Sequence, residues 1–151
     1  MDKTHPAKFT DLGGRADQVE VAISADEKAT SYYHIRLDIA NARWDSRTET
    51  GRKEHGSDIA TGREIYGKDS TWEGEYQTAT QKGEDHWSAE IAISWATLEM
   101  SAPKPGDRLK GNLHRWTHRR STTGVIEFSV WTETRYNRGV EFENFGTWVF
   151  E

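Results

Sequence analysis

The stretch 86–99, "HWSAEIAISWATLE", decides the fold. Trp87, Ala89, Ile91 and Ile93 recur at every second position, the period of a half-buried β-strand. From Ser94 that period breaks. "SWATLE" then reads as one helical turn, stopped by Pro103 and Pro105. Glu90 falls between Ala89 and Ile91, on the other face of the strand, where a carboxylate must be solvated, paired or functional.

Working outward, the same period of two appears on both sides. In 18–24, "QVEVAIS", Val19, Val21 and Ile23 share one face and Glu20 the other. After the turn-like "ADEKAT", the segment 31–39, "SYYHIRLDI", places Tyr33, Ile35, Leu37 and Ile39 towards a core and His34, Arg36 and Asp38 away from it. The short connection favours an antiparallel pair, with Glu20 and Arg36 on the same non-core face. "ARWDS" continues or follows this second strand. Strand signals resume at "TWEGEYQTAT", "RLKGNLHRW", "VIEFSVWTE" and "FGTWVFE", punctuated by "QKGED", "PKPGD", "STTG" and "NRG". Short strands at regular spacing with one brief helical turn predict an all-β fold, an antiparallel β-sandwich, with residues 1–151 as a single domain. Residues 46–70 carry almost no periodicity. A loop of that length exceeds the ~12–15 residues usual in compact domains and is expected to be functional or mobile. Six or seven strands make a thin sandwich, so a sheet edge is expected to be open or completed by another chain, for instance in a homodimer.

Composition narrows the function. Hydrophobic content is 34% and charged content 30%, but seven Trp, five Tyr and five Phe in 151 residues are too many for a solvated tail. The net charge of −5, with scattered Lys and Arg, disfavours nucleic acid or an anionic membrane as partner. No apolar run approaches transmembrane length, and no signal peptide is expected in this chain. With no Cys, disulfides and thiolate metal sites are excluded.

The run "WSAEIAISWATLEMSAPKPGDRLKGNLHR", followed by "EFSVWTE" and a final "FGTWVFE", resembles carbohydrate-binding module family 9. Upstream, "DQVEVAIS" and "YYHIRLDIANARWDSR" are similar to that family's first acidic strand and its aromatic strand, so the resemblance runs through nearly the whole chain in order. Ser94 stands where the family has a proline, and the family's two opening strands have no counterpart, as in an N-terminally shortened member. The resemblance implies a non-catalytic domain that binds a carbohydrate, linked to polysaccharide degradation, with an extracellular or periplasmic setting. It pairs Glu90 with Arg115 as a scaffold salt bridge, the reading favoured over a catalytic acid. It places Glu20 and Arg36 where an acid and an arginine hold sugar hydroxyls, chemistry that suits a carboxylate acceptor and a forked guanidinium donor. His114 stands where the family often carries a hydrogen-bonding glutamine, and it shares a strand face with Asn112 and Trp116. The position of the family's first clamping tryptophan falls near Gly13–Gly14, where there is none, and that of the second near Gly139–Phe142, where Tyr136 and Phe142 are the only aromatics, so the clamp is incomplete.

Trp44, Tyr136 and Phe142 are the candidate flat platforms for a pyranose face, while Trp87, Trp95 and Trp131 sit in framework motifs. His114 and His118 point the same way on a strand but lie too far apart for a zinc pair. "SADEKAT" and "GSD" offer oxygen ligands for a structural calcium. Two other readings stay in view. A glycoside hydrolase needs two carboxylates about 5–9.5 Å apart. A haem or redox sandwich would have to rely on histidine, since Met1 and Met100 are the only methionines.

Overall fold

The structure, a computed structural model, describes residues 16–49, 57–58, 63–64, 67–69, 71–118, 126–134 and 142–151. It is an antiparallel β-sandwich of two unequal layers. The wide layer follows the order β10-β9-β1-β2-β3-β6, built from β1 (Gln18–Ser24), β2 (Ser31–Asp38), β3 (Arg43–Glu49), β6 (Gly67–Asp69), β9 (Arg108–His118) and β10 (Ile126–Val130). A seventh strand, β11 (Gly146–Val149), pairs with the first part of β9, on the edge whose later part holds β10. The narrow layer is the hairpin of β7 (Tyr76–Lys82) and β8 (Trp87–Ile93). Two short strands, β4 (Ser57–Asp58) and β5 (Arg63–Glu64), form a separate ladder. No helix among the described residues is long and apolar enough to cross a membrane.

The period-two pattern explains which face is buried. Val21 pairs with Ile35 and Ile23 with Tyr33 across β1 and β2. These four join Tyr76, Leu98 and Leu109 in the core between the layers, with Ile91, Ile93, Trp95 and Trp148 packed against them. The helical turn expected after β8 is present as backbone bonds from Thr97 N to Ser94 O and Glu99 N to Ala96 O, which deliver Leu98 to that core. Arg43 ties the layers together. Its Nη1 donates to Tyr76 O at 2.9 Å and its guanidinium lies 4.9 Å over the Tyr76 ring.

Two expectations change, and an alternative left open by the sequence is resolved. "ARWDS" opens a third strand, because Asp38 Oδ1 accepts from both Ala40 N and Ala42 N at 2.8 Å and turns the chain back, with Asn41 at φ 63°. The supposed loop from residue 46 is strand as far as Glu49, with Ser46 and Thr48 buried. The Glu90–Arg115 bridge is absent. Glu90 is exposed on the outer face of β8, whereas Arg115 alternates with His114 and shares Leu113's side of β9, towards the interlayer space. With a whole strand between them they do not meet, and the scaffold role given to Glu90 falls away.

Candidate functional site

On β1 the residues between the core positions, Gln18, Glu20, Ala22 and Ser24, face away from the narrow layer. Cross-strand register does the rest. Glu20 pairs with Arg36 of β2 on one side and with His114 of β9 on the other, while His34 sits diagonally opposite, beside Ala22. Trp44 of β3 lies opposite Arg36, and Phe128 of β10 lies opposite Trp116 of β9. Five strands thus place acid, base and aromatic groups on one continuous face.

Glu20 is the centre of that face, its side chain 1% exposed. Oε1 lies 3.0 Å from Arg36 Nε; Oε2 lies 3.0 Å from His34 Nε2 and 3.5 Å from His114 Nδ1. Burial alone would raise the carboxyl's pKa, but the His114 and His34 imidazoles and the charges of His34 and Arg36 outweigh it. The group is held well below the usual carboxylate range. Aromatic rings wall the cluster. The Arg36 guanidinium lies 5.0 Å over Trp44, His34 meets Trp44 edge-on at 5.6 Å, and His114 tilts against Phe128, which in turn contacts Trp116 at 4.3 Å.

The polar inventory of this face is incomplete. Glu20 Oε1, Arg36 Nε, both ring nitrogens of His114, Gln18 Oε1 and Trp116 Nε1 are buried without a hydrogen-bond partner. The 3.0 Å approach of Arg36 to Glu20 is an ion-pair contact without hydrogen-bond alignment, and the 3.5 Å approach of His114 is electrostatic in the same way. Three of the six face a charged neighbour, Arg36 Nε and Glu20 Oε1 each other and His114 Nδ1 the same carboxylate, which leaves Gln18 Oε1, His114 Nε2 and Trp116 Nε1 for water or another small polar group to complete. Donors (Arg36, Trp116) and acceptors (Gln18, Glu20) are interleaved, with His114 able to serve as either.

Of the residues picked out from the sequence, Glu20, Arg36, His114 and Trp44 come together. Phe142 opens the 3-10 helix Phe142–Asn144 and packs with Ala22, Ala29, Tyr32 and Phe145, one step along the same face of β1 and β2. Tyr136 and the Gly13–Gly14 position lie outside the described residues, as does the His118 side chain. His34, Gln18 and Trp116 carried no assigned role, although the alternation that selected Glu20 and Arg36 puts them on the same face. The calcium reading of "SADEKAT" meets a competitor. The Asp26 carboxylate already accepts from Lys28 N at 2.9 Å, Thr30 N at 3.1 Å and the Thr30 hydroxyl, with Ser24 Oγ donating to Asp26 O, so its oxygens serve their own turn. The side chains of "GSD" are outside the described residues. Among the described residues no group of three or more His, Asp or Glu is placed to hold a metal ion.

No protein-family model matches the sequence, and no curated relative matches it. Among solved structures the chain is similar to that of a protein from Bacteroides uniformis ATCC 8492 described as a proposed carbohydrate-binding protein. The TM-score is 0.60 at 17% identity, over 91% of this chain and 62% of that one. At that identity the likeness is one of fold, and this chain spans about three-fifths of that structure's length.

Proposed function

We propose that this chain is a non-catalytic carbohydrate-binding domain whose ligand sits on the Glu20 face. The observation that carries the reading is the charged face centred on Glu20, where the Arg36 guanidinium is 30% exposed and Trp44 and Phe128 stand as aromatic walls. Vicinal hydroxyls accept from a guanidinium, and their ring's C–H face packs on an aromatic plane, so a pyranose suits such a face. The fold-level likeness to a protein described as carbohydrate-binding supports this, and so does the resemblance of the motifs to binding module family 9. On that resemblance the ligand is the end of an oligo- or polysaccharide, met outside the cytoplasm during polysaccharide degradation.

A glycosidase is the weaker reading. Its general acid needs a carboxyl with a raised pKa, and Glu20 is held the other way.

Titration of the purified chain against mono- and oligosaccharides of glucose, xylose and mannose, by calorimetry, tests the proposal. Saturable binding by at least one sugar is expected, with no release of reducing ends. Trp44→Ala should lower that affinity about tenfold, the scale of one lost aromatic contact. Hydrolysis abolished by Glu20→Gln would move the chain to the enzyme class, and silence across the panel would remove the sugar from the site.

A further inference from the structure

Gln18 Oε1, His114 Nε2 and Trp116 Nε1 are the buried polar atoms of the Glu20 face that its ion cluster does not reach, and none has a hydrogen-bond partner among the described residues. Strand register brings their residues together. Gln18 of β1 pairs with Trp116 of β9, and one step along the same face Glu20 pairs with His114. Both rings lean on Phe128 of β10, the His114 imidazole with centroids 5.6 Å apart and the Trp116 indole at 4.3 Å. Gln18 and His114 are buried outright, and Trp116 is half-buried with its indole nitrogen shielded.

The neighbours of each atom fix what it can do. The Glu20 carboxyl is held ionised, so it only accepts, and Nδ1 is the His114 nitrogen that faces it, at 3.5 Å. In the neutral imidazole that nitrogen carries the ring proton, which leaves Nε2 as a bare acceptor. Gln18 Oε1 accepts as well, and the Trp116 indole nitrogen only donates. The three atoms therefore ask for two protons and one lone pair.

We propose that Gln18, His114 and Trp116 together hold one buried water molecule, which anchors the His114 imidazole at Nε2 while Nδ1 faces Glu20. Water donates twice and accepts, the complement of this set, and buried waters typically make about three hydrogen bonds. A sugar hydroxyl has one proton to give and leaves an acceptor unmet. An ammonium ion has no lone pair for the indole N–H, and a halide has no proton for either acceptor. A direct bond from the Trp116 indole to Gln18 would still strand His114 Nε2. The water is required whether or not a sugar meets Arg36 and Trp44, so it stands apart from the proposed function.

A crystal structure that resolves ordered solvent, with nitrogen-15 NMR of the histidine and indole side chains, tests this on the unaltered chain. One solvent peak is expected at about 2.7–3.2 Å from all three atoms. In solution the Trp116 indole proton should cross-relax with a water proton, and His114 should carry its ring proton on Nδ1. Trp116→Phe keeps a ring against Phe128 and Gln18→Leu keeps the side chain's bulk, and each removes one of the water's partners. The double variant leaves the water a single bond, so the solvent peak should vanish and the His114 Nε2 resonance should move to that of an unbonded nitrogen. Three outcomes in the parent would each overturn the proposal: no shared solvent peak, a direct bond between the Trp116 indole and Gln18, or a His114 proton on Nε2. A folded double variant whose Nε2 resonance stays where it was would do the same.

Discussion

Removing the Arg36 side chain tests whether Glu20 is held ionised by its neighbours. Arg36→Ala leaves a carboxylate that is 1% exposed without its full-charge partner 3.0 Å away. Stranding one member of a buried pair costs about 3–5 kcal/mol. Two features pull the figure down. The arginine is itself 30% exposed, so solvent screens part of its charge, and His34 keeps its 3.0 Å contact with the other carboxylate oxygen. About 2–3 kcal/mol remains, at roughly 2–4 °C per kcal/mol for a chain of this length, or about 5–10 °C in melting temperature. Glu20→Gln/Arg36→Ala should recover part of that loss, because the double variant leaves no buried carboxylate without its arginine. A coupling of about 1–2 kcal/mol is expected from a cycle of four urea titrations.

The pH dependence follows with its sign. Glu20 has a folded pKa depressed below its ordinary 4.5, so it contributes stability above that value and loses it as the pH falls through the folded pKa. Arg36→Ala weakens the depression, so acid destabilisation should begin at higher pH than in the parent. In Glu20→Gln this contribution to the slope disappears. An Arg36→Ala variant melting within about 2 °C of the parent at neutral pH, or strict additivity in the cycle, would refute the reasoning, since it would show Glu20 indifferent to its partner.

Two further outcomes are expected. Arg115→Ala should leave stability within about 0.5 kcal/mol in thermal melts, since the residue is exposed and joins no ion pair among the described residues. Gly111→Ala should destabilise by about 1–3 kcal/mol, seen as a lower urea midpoint at unchanged slope, because overpacking forces neighbours aside. The added carbon would fall 2.5 Å from the Trp148 ring and 2.7 Å from Ala22 O.

What was legible in the sequence had a two-residue period and one apolar face. Val19, Val21 and Ile23 identify β1, and Tyr33, Ile35 and Leu37 identify β2. Glu20 and Arg36 then fall opposite one another without reference to any coordinate. β3 was not legible because its alternation is almost wholly polar against polar: Arg43, Asp45, Arg47 and Glu49 on one face, Ser46 and Thr48 on the other, with Trp44 as the one apolar side chain. Its start is encoded in one side chain, the Asp38 carboxylate that closes the preceding turn. The Glu90 assignment failed for a different reason. Strand periodicity fixes the face of a residue within its own strand but not which sheet the strand joins, and β8 belongs to the other layer from β9. The depth of Glu20 was equally hidden, since a non-core face can be solvent or a second interior.

That depth changes what Glu20 does. A half-exposed acid on a sheet would meet a sugar hydroxyl directly. A carboxylate 1% exposed, contacted by His34, Arg36 and His114, acts first on those three. Taking the charge out of water is costly, and the low pKa shows that the surrounding positive and donor groups more than offset it. The consequence is a guanidinium and two imidazoles fixed in place before any ligand arrives, with Trp44 packed on two of them. Pre-ordering of this kind lowers the entropy lost on binding, which otherwise consumes much of the gain from a few polar contacts. On the proposed reading Glu20 and His114, each with a side chain 1% exposed, are positioning residues, and Arg36 and Trp44 are the groups a ligand would touch. Glu20→Gln keeps the shape and removes the charge. It should therefore leave the aromatic wall intact yet weaken sugar binding through a loosened Arg36. Glutamine that preserves full affinity would show that the charge serves the fold alone.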